Sequence, residues 1–120
     1  MKKLIILLFS VFISMKSYGG IFDETICFES DGQNIVFLPN DTNPYTGKFL
    51  CKYDNGQKEK EGRYKDGRLT GKWTVWYKSG QKESEVNYKN GKLDGKLIEW
   101  FQFNGEIKRE ETYKNGKILF

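Results

Sequence analysis

Glycine and tyrosine recur at a nearly fixed interval through residues 44–120, and that recurrence limits the fold more than any other feature of the chain. Gly47, Gly71 and Gly95 lie 24 residues apart, as do Gly56 and Gly80, while Gly80 to Gly105 is 25. Eight residues after the second glycine of each copy stands a tyrosine (Tyr64, Tyr88, Tyr113), preceded at three residues by a glutamate (Glu61, Glu85, Glu110). In register the copies are 44–63, 64–87 and 88–112, with a partial copy at 113–120 and one added residue within Gln102-Phe103-Asn104. Self-similarity of this length signals an array in which each unit buries its apolar surface against its neighbours.

Within each copy the local signals are for strands and tight turns. Asn55-Gly56, Asp66-Gly67, Ser79-Gly80, Asn90-Gly91, Asn104-Gly105 and Asn115-Gly116 are pairs that accept positive φ at little cost, and each is a candidate hairpin turn. The residues between them are aromatic, β-branched or long and polar, as in strands with one wet face. No window after residue 20 supports a helix. The expected fold is all-β, a meander of tandem β-hairpins forming one elongated antiparallel sheet.

Strand parity assigns two faces. Trp73, Val75 and Tyr77 share one with Phe49, Cys51, Tyr53, Leu97, Glu99 and Phe101, and this is the expected core face. Leu50 and Lys52, Lys72, Thr74 and Trp76, and Lys96, Ile98 and Trp100 share the other. Trp76 and Trp100 stand out there among lysines, two strands apart at about 10 Å. The pair suits the grip of a ligand, a partner loop or a sugar, or else covers the turns or packs under the amino-terminal segment.

The amino terminus reads as a targeting signal. Met1-Lys2-Lys3 precedes an uncharged run, Leu4 to Ser14, and a short polar stretch with Ser17 and Gly19 as small residues before a cut. Residues 1–19 are expected to be a signal peptide helix, and residues 20–43 a segment with a short strand. A bilayer span takes about 20 apolar residues, so the run is short for one. Retained uncleaved, it would be the chain's route to a membrane. The protein is expected to be exported, to the periplasm or beyond the cell.

Charge must be read after that cut. Lys plus Arg number 20 against 16 Asp plus Glu, a formal net of +4. Removing residues 1–19 takes away Lys2, Lys3 and Lys16 and no acid, leaving 17 against 16. Non-specific nucleic-acid binding depends on a basic surplus, and arginine, whose planar fork suits phosphate and guanine, occurs only at Arg63, Arg68 and Arg109. Nucleic acid is not an expected partner. The mean hydropathy of -0.68 and 30% charged residues resemble disorder, but 16% aromatic residues and only 2 prolines supply the bulky surface that disordered chains lack.

The two cysteines, Cys27 and Cys51, form an even set in a chain bound for an oxidising compartment. A disulfide would staple residues 20–43 onto the first repeat and contribute about 3 kcal/mol by restricting the unfolded chain. The alternative is two buried thiols.

The stretches Pro44-Tyr45-Thr46-Gly47-Lys48, Asp54-Asn55-Gly56-Gln57-Lys58 and Tyr88-Lys89-Asn90-Gly91-Lys92-Leu93-Asp94-Gly95 carry a resemblance to the MORN repeat, and more closely to its bacterial variant form, the YwqK-like antitoxin family. The resemblance covers residues 44–120 and implies one β-hairpin per repeat in an elongated, twisted sheet. Phe49 in place of tryptophan, the residue added in the third copy and Glu99 on the core face depart from the pattern.

Function follows from what the chain lacks as well as from what it resembles. With 0 histidines, the commonest neutral-pH base and metal ligand is missing. Glu61, Glu85 and Glu110 recur in every copy, which suits cross-strand pairing with lysine better than catalysis, since a catalytic pair is needed once. The expectation is a non-enzymatic scaffold without cofactor or metal that binds a protein partner. The family resemblance implies an antitoxin or immunity protein as the alternative, and Gly71 to Gly80, similar to the aromatic hairpins of wall-binding repeats, suggests a cell-envelope glycan as a third. The terminal Lys117-Ile118-Leu119-Phe120 either pairs with the edge of a second copy or caps the last hairpin.

Overall fold

The computed structural model of the protein describes residues 17–18, 21–22, 25–28, 35–38 and 42–119. The expected signal helix and Phe120 lie outside the described residues, apart from Ser17–Tyr18 (β1), which pairs antiparallel with Ile21–Phe22 (β2) on either side of the expected cut. The remaining strands are Thr25–Ile26 (β3), Gly47–Lys52 (β4), Lys58–Lys65 (β5), Arg68–Trp76 (β6), Lys82–Lys89 (β7), Lys92–Trp100 (β8), Ile107–Lys114 (β9) and Lys117–Ile118 (β10). They form one open sheet in chain order, β10-β9-β8-β7-β6-β5-β4-β3. From β4 to β10 every neighbour is antiparallel, as the repeat implies. No helix among the described residues is long and apolar enough to cross a membrane.

The six turn dipeptides divide into two kinds. Asp66-Gly67, Asn90-Gly91 and Asn115-Gly116 are two-residue links with positive φ at both positions, 50° and 79° in the first. This is the primed turn whose twist matches that of the strands it joins. The other three sit in longer links, where only the glycine has positive φ. There the Asn55 and Asn104 side chains accept from the backbone N–H two residues on, each at 2.9 Å, the local closure that suits Asn to turns. The residue added in the third copy falls in the link between β8 and β9, where it disturbs no ladder.

Neighbouring repeats are tied at both ends of their hairpins. Gly67 N–H donates to Tyr45 C=O at 2.7 Å, Gly91 to Leu69 at 2.9 Å and Gly116 to Leu93 at 2.7 Å. At the opposite end the Tyr53 hydroxyl donates to Trp76 C=O and the Tyr77 hydroxyl to Trp100 C=O, both at 2.7 Å.

A bulge opens each long hairpin. Cys51 pairs with Lys60 and Lys52 with Lys58, leaving Glu59 extra. Glu83 and Lys108 are the extra residues in the next two. An extra residue reverses the alternation of faces, so Lys58 and Glu61 fall on one side and pair within β5 at 3.0 Å. Lys82 and Glu85 do the same within β7. This corrects the expectation of cross-strand lysine partners, which holds only for Glu110 with Lys96, at 3.2 Å.

The core lies on the expected face and at one end of it. Phe49, Tyr64, Leu69 and Trp73 from the sheet are buried together with Tyr45 and with Ile26, Phe28 and Val36 from the amino-terminal segment. That segment enters through β3, which pairs parallel with β4. It is fastened by a Cys27–Cys51 disulfide, so the buried-thiol alternative falls away. Val36 adds two backbone bonds, to Gly67 C=O at 2.9 Å and from Tyr45 N–H at 2.8 Å. At the far end β10 closes the last hairpin by pairing with Lys114 and Tyr113. Among the described residues no strand lies beside Ile107 to Glu111 on the outer edge of β9.

Candidate functional site

Among the described residues, the amino-terminal segment covers the core face over β4, β5 and the adjoining part of β6. Under that cover Phe28 meets Phe49 edge-on at 5.1 Å, Phe49 meets Trp73 at 5.2 Å and Tyr64 meets Trp73 edge-on at 5.3 Å. Aromatic pairs in these arrangements contribute about 0.5–1.5 kcal/mol each beyond the area they bury. The Trp73 ring lies across the backbone of Gly62, where a Cβ would come within 2.1 Å of it. Its indole N–H donates to Arg63 C=O at 3.1 Å, so the buried polar atom of the ring is satisfied.

Where the cover ends, the face stays apolar but opens. A groove of about 290 Å³ runs from Phe28, Phe49 and Trp73 on the covered side to Val75, Ser84, Val86 and Tyr88 on the uncovered side, with Lys60 beside it. The positions that hold Gly62 and Trp73 in the first strand pair hold Val86 and Leu97 in the next, directly opposed. These side chains are smaller than an indole. They leave a shelf over β6 to β8 whose members are half-buried, Leu97 excepted. Burial raises the Tyr88 hydroxyl above the ordinary tyrosine value, because the phenolate would lose hydration there. The volume is near the lower limit of the roughly 300–1,000 Å³ of clefts that engulf a small ligand. It suits one or two side chains projecting from a larger partner.

Beyond the shelf the same face becomes charged. Glu99, the residue at odds with a core position, pairs across the ladder with Arg109 at 3.1 Å, and the other arm of Arg109 reaches Glu111 at 3.7 Å. The Tyr113 hydroxyl donates to Glu111 at 2.8 Å. That bond, with desolvation, holds the hydroxyl proton above the ordinary value. The face therefore grades from covered aromatic, through open aliphatic, to a carboxylate and guanidinium cluster.

The two tryptophans singled out by parity lie on the opposite face, half-buried at the ends of β6 and β8 with β7 between them. Lys58 Nζ stands 5.5 Å from the Trp76 ring, and among the described residues no ring contact joins Trp76 to Trp100. Neither packs under the described residues of the amino-terminal segment, which lie on the other face. The glycines at 47, 56, 67, 71, 80, 91, 95, 105 and 116 all have positive φ. Tyr64 is in the core, while Tyr88 and Tyr113 are half-buried on the same face. Sequence reasoning missed Gly62, because it is a glycine in one copy only, aligned with Val86 and Glu111. Its signal was its place one strand from Trp73 on the core face. Among the described residues no three or more Cys, Asp or Glu side chains are grouped to hold a metal ion.

A family described as MORN repeat variant matches residues 45–66, 69–90 and 93–115. Each matched segment starts at the residue whose carbonyl accepts the turn bond (Tyr45, Leu69, Leu93) and ends just before the glycine that donates it. No curated protein and no solved structure matches the chain.

Proposed function

Because the chain belongs to the MORN repeat variant family, whose repeats generally serve protein or membrane interaction, we propose that it is an exported, non-enzymatic scaffold that holds a protein partner in the groove of its core face. The observation that carries this reading is the incomplete cover. An apolar face that folding alone required would be buried along its length, yet Val75, Val86 and Tyr88 remain half-open beside a buried Trp73. Apolar anchors entering such a groove, with charged groups at the rim, are the usual anatomy of a protein interface. Lys60 on one side and the Glu99, Arg109 and Glu111 cluster on the other would fix the orientation of what binds. The Cys27–Cys51 disulfide supports export, since such bonds persist in oxidising compartments.

The toxin-neutralising form of this reading rests on the YwqK-like resemblance. Its support would be a toxic gene product that forms a complex with this protein. The test of the broader reading is affinity capture from the native culture with the parent protein, Val86→Glu and Trp76→Ala. A partner held by the parent and by Trp76→Ala but lost by Val86→Glu locates binding in the groove. A partner indifferent to Val86→Glu and lost by Trp76→Ala would move the site to the opposite face.

A further inference from the structure

The near balance of acids and bases conceals a separation of charge on the face opposite the groove. Tyr64 and Leu69, Tyr88 and Leu93, and Tyr113 and Ile118 are paired positions on the core face. Their neighbours toward each tight turn, Lys65 with Arg68, Lys89 with Lys92 and Lys114 with Lys117, are paired positions on the other face. All six are exposed, and among the described residues no ion pair engages any of them. Like charges directly opposed in a ladder are unfavourable. The turns themselves require only the Asp-Gly or Asn-Gly between them, so folding does not explain three such pairs in succession.

A second row lies two residues inward on the same face. It consists of Lys48 opposite Arg63, Lys72 opposite Asn87 and Lys96 opposite Thr112. Among the described residues the acids on this rim are Asp66, in the first turn, and Asp94, whose carboxylate accepts from Asn115 N–H at 3.2 Å. Inward again the face changes sign, with Glu61, Glu85 and Glu110 among Leu50, Thr74 and Ile98. The basic stripe thus crosses β4 to β10, about 29 Å at strand spacing, and is about 7 Å wide between its rows.

Its dimensions and composition select the occupant. A bilayer plane or a nucleic-acid duplex laid on this face would also cover the glutamate row. A single nucleic-acid strand relies on aromatic platforms for its bases, and the aromatic residues of this face, Trp76 and Trp100, lie beyond that row. Eight of the ten cations are lysine, a hydrated point charge, where the fork of arginine is the better match to phosphate. We infer that the stripe is a second binding surface, separate from the groove, for an extended acidic polypeptide segment that runs across the strands along the row of tight turns.

The test uses the parent protein with a labelled octaglutamate peptide, an oligothymidine of equal charge and vesicles containing one third phosphatidylglycerol, at low and at physiological salt. Lys89→Glu/Lys92→Glu is compared with Lys52→Glu/Lys78→Glu, an equal change of charge at the other end of the same sheet. Far-ultraviolet circular dichroism verifies that both variants fold. The inference predicts that the peptide binds, that the rim variant weakens it about tenfold or more through lost charge pairing, that the distant variant weakens it less than about twofold, and that Val86→Glu leaves it unchanged. It is overturned by an absence of peptide binding, by equal losses in the two charge variants, or by rim-dependent binding of the oligonucleotide or the vesicles in preference to the peptide.

Discussion

The Tyr77 hydroxyl donates to the Trp100 carbonyl at 2.7 Å, repeating across β7 the bond that Tyr53 makes to Trp76 one copy earlier. The third copy has Phe101 in the same place. The hydroxyl is therefore present in the first two copies and absent from the third.

Removing those bonds should loosen the array without unfolding it. Tyr53→Phe and Tyr77→Phe each delete one donor and leave one carbonyl able to turn to water, a modest loss. The double variant is expected to show a thermal midpoint lowered by a few degrees, read by circular dichroism, with its strand content intact.

The same hydroxyls make stability depend on alkaline pH. Desolvation first, then Glu59 and Glu83 for Tyr53 and Glu83 and Glu99 for Tyr77, raise both above the ordinary 10.0. A group with a raised folded value binds its proton more tightly when folded, so its contribution is complete below the unfolded value and falls as pH rises through the folded one. Denaturation midpoints should be flat up to about pH 10 and decline beyond it, and the double phenylalanine variant should decline less. Equal slopes for parent and variant would refute this.

Gly62 should tolerate no side chain. A Cβ there would come within 2.1 Å of the Trp73 ring, and a rigid indole packed against Phe49 and Tyr64 has nowhere to go. Gly62→Ala is expected to cost about 1–3 kcal/mol, the usual range for overpacking, and to shift Trp73 fluorescence. Chemical denaturation checks it, with Val86→Ala at the aligned position of the next copy as the milder comparison.

Reduction of Cys27–Cys51 should release the cover. β3 holds only two residues in the sheet, so the disulfide is the strongest tether of Ile26 and Phe28. Breaking a cross-link of sequence separation 24 removes about 3 kcal/mol, and the thermal midpoint should fall by roughly 12–24 °C for a domain of this size. Cys27→Ser/Cys51→Ser should behave as the reduced protein does. The exposed Phe49, Tyr64 and Trp73 should then bind a hydrophobic dye.

The repeat made much of this fold legible. The glycine pairs mark where each hairpin reverses, and parity placed Phe49, Trp73 and Leu97 on the buried face because strands alternate strictly between bulges. What parity could not see is the bulge itself. Glu59, Glu83 and Lys108 look like ordinary strand residues, and only the ladder reveals that they are extra, which is why cross-strand lysines were expected for Glu61 and Glu85 instead of Lys58 and Lys82 on their own strands. The parallel pairing of β3 was also hidden, since two residues carry no periodicity. Glu99 seemed a misfit because the core face was expected to be apolar throughout, whereas it changes character from Trp73 to Arg109. The groove arises from Gly62 and Val86 at aligned positions, a difference between copies where the repeat invites attention to likeness.

The central claim, that the uncovered part of the core face is where a partner is held, is tested most directly by site-specific photo-cross-linking. A benzophenone side chain placed at Val86, in the groove, is compared with one at Thr74, which points from β6 to the opposite face. In the protein's native culture the account predicts a discrete cross-linked adduct from Val86 and none of the same mass from Thr74. An adduct from Thr74 with none from Val86 would contradict it.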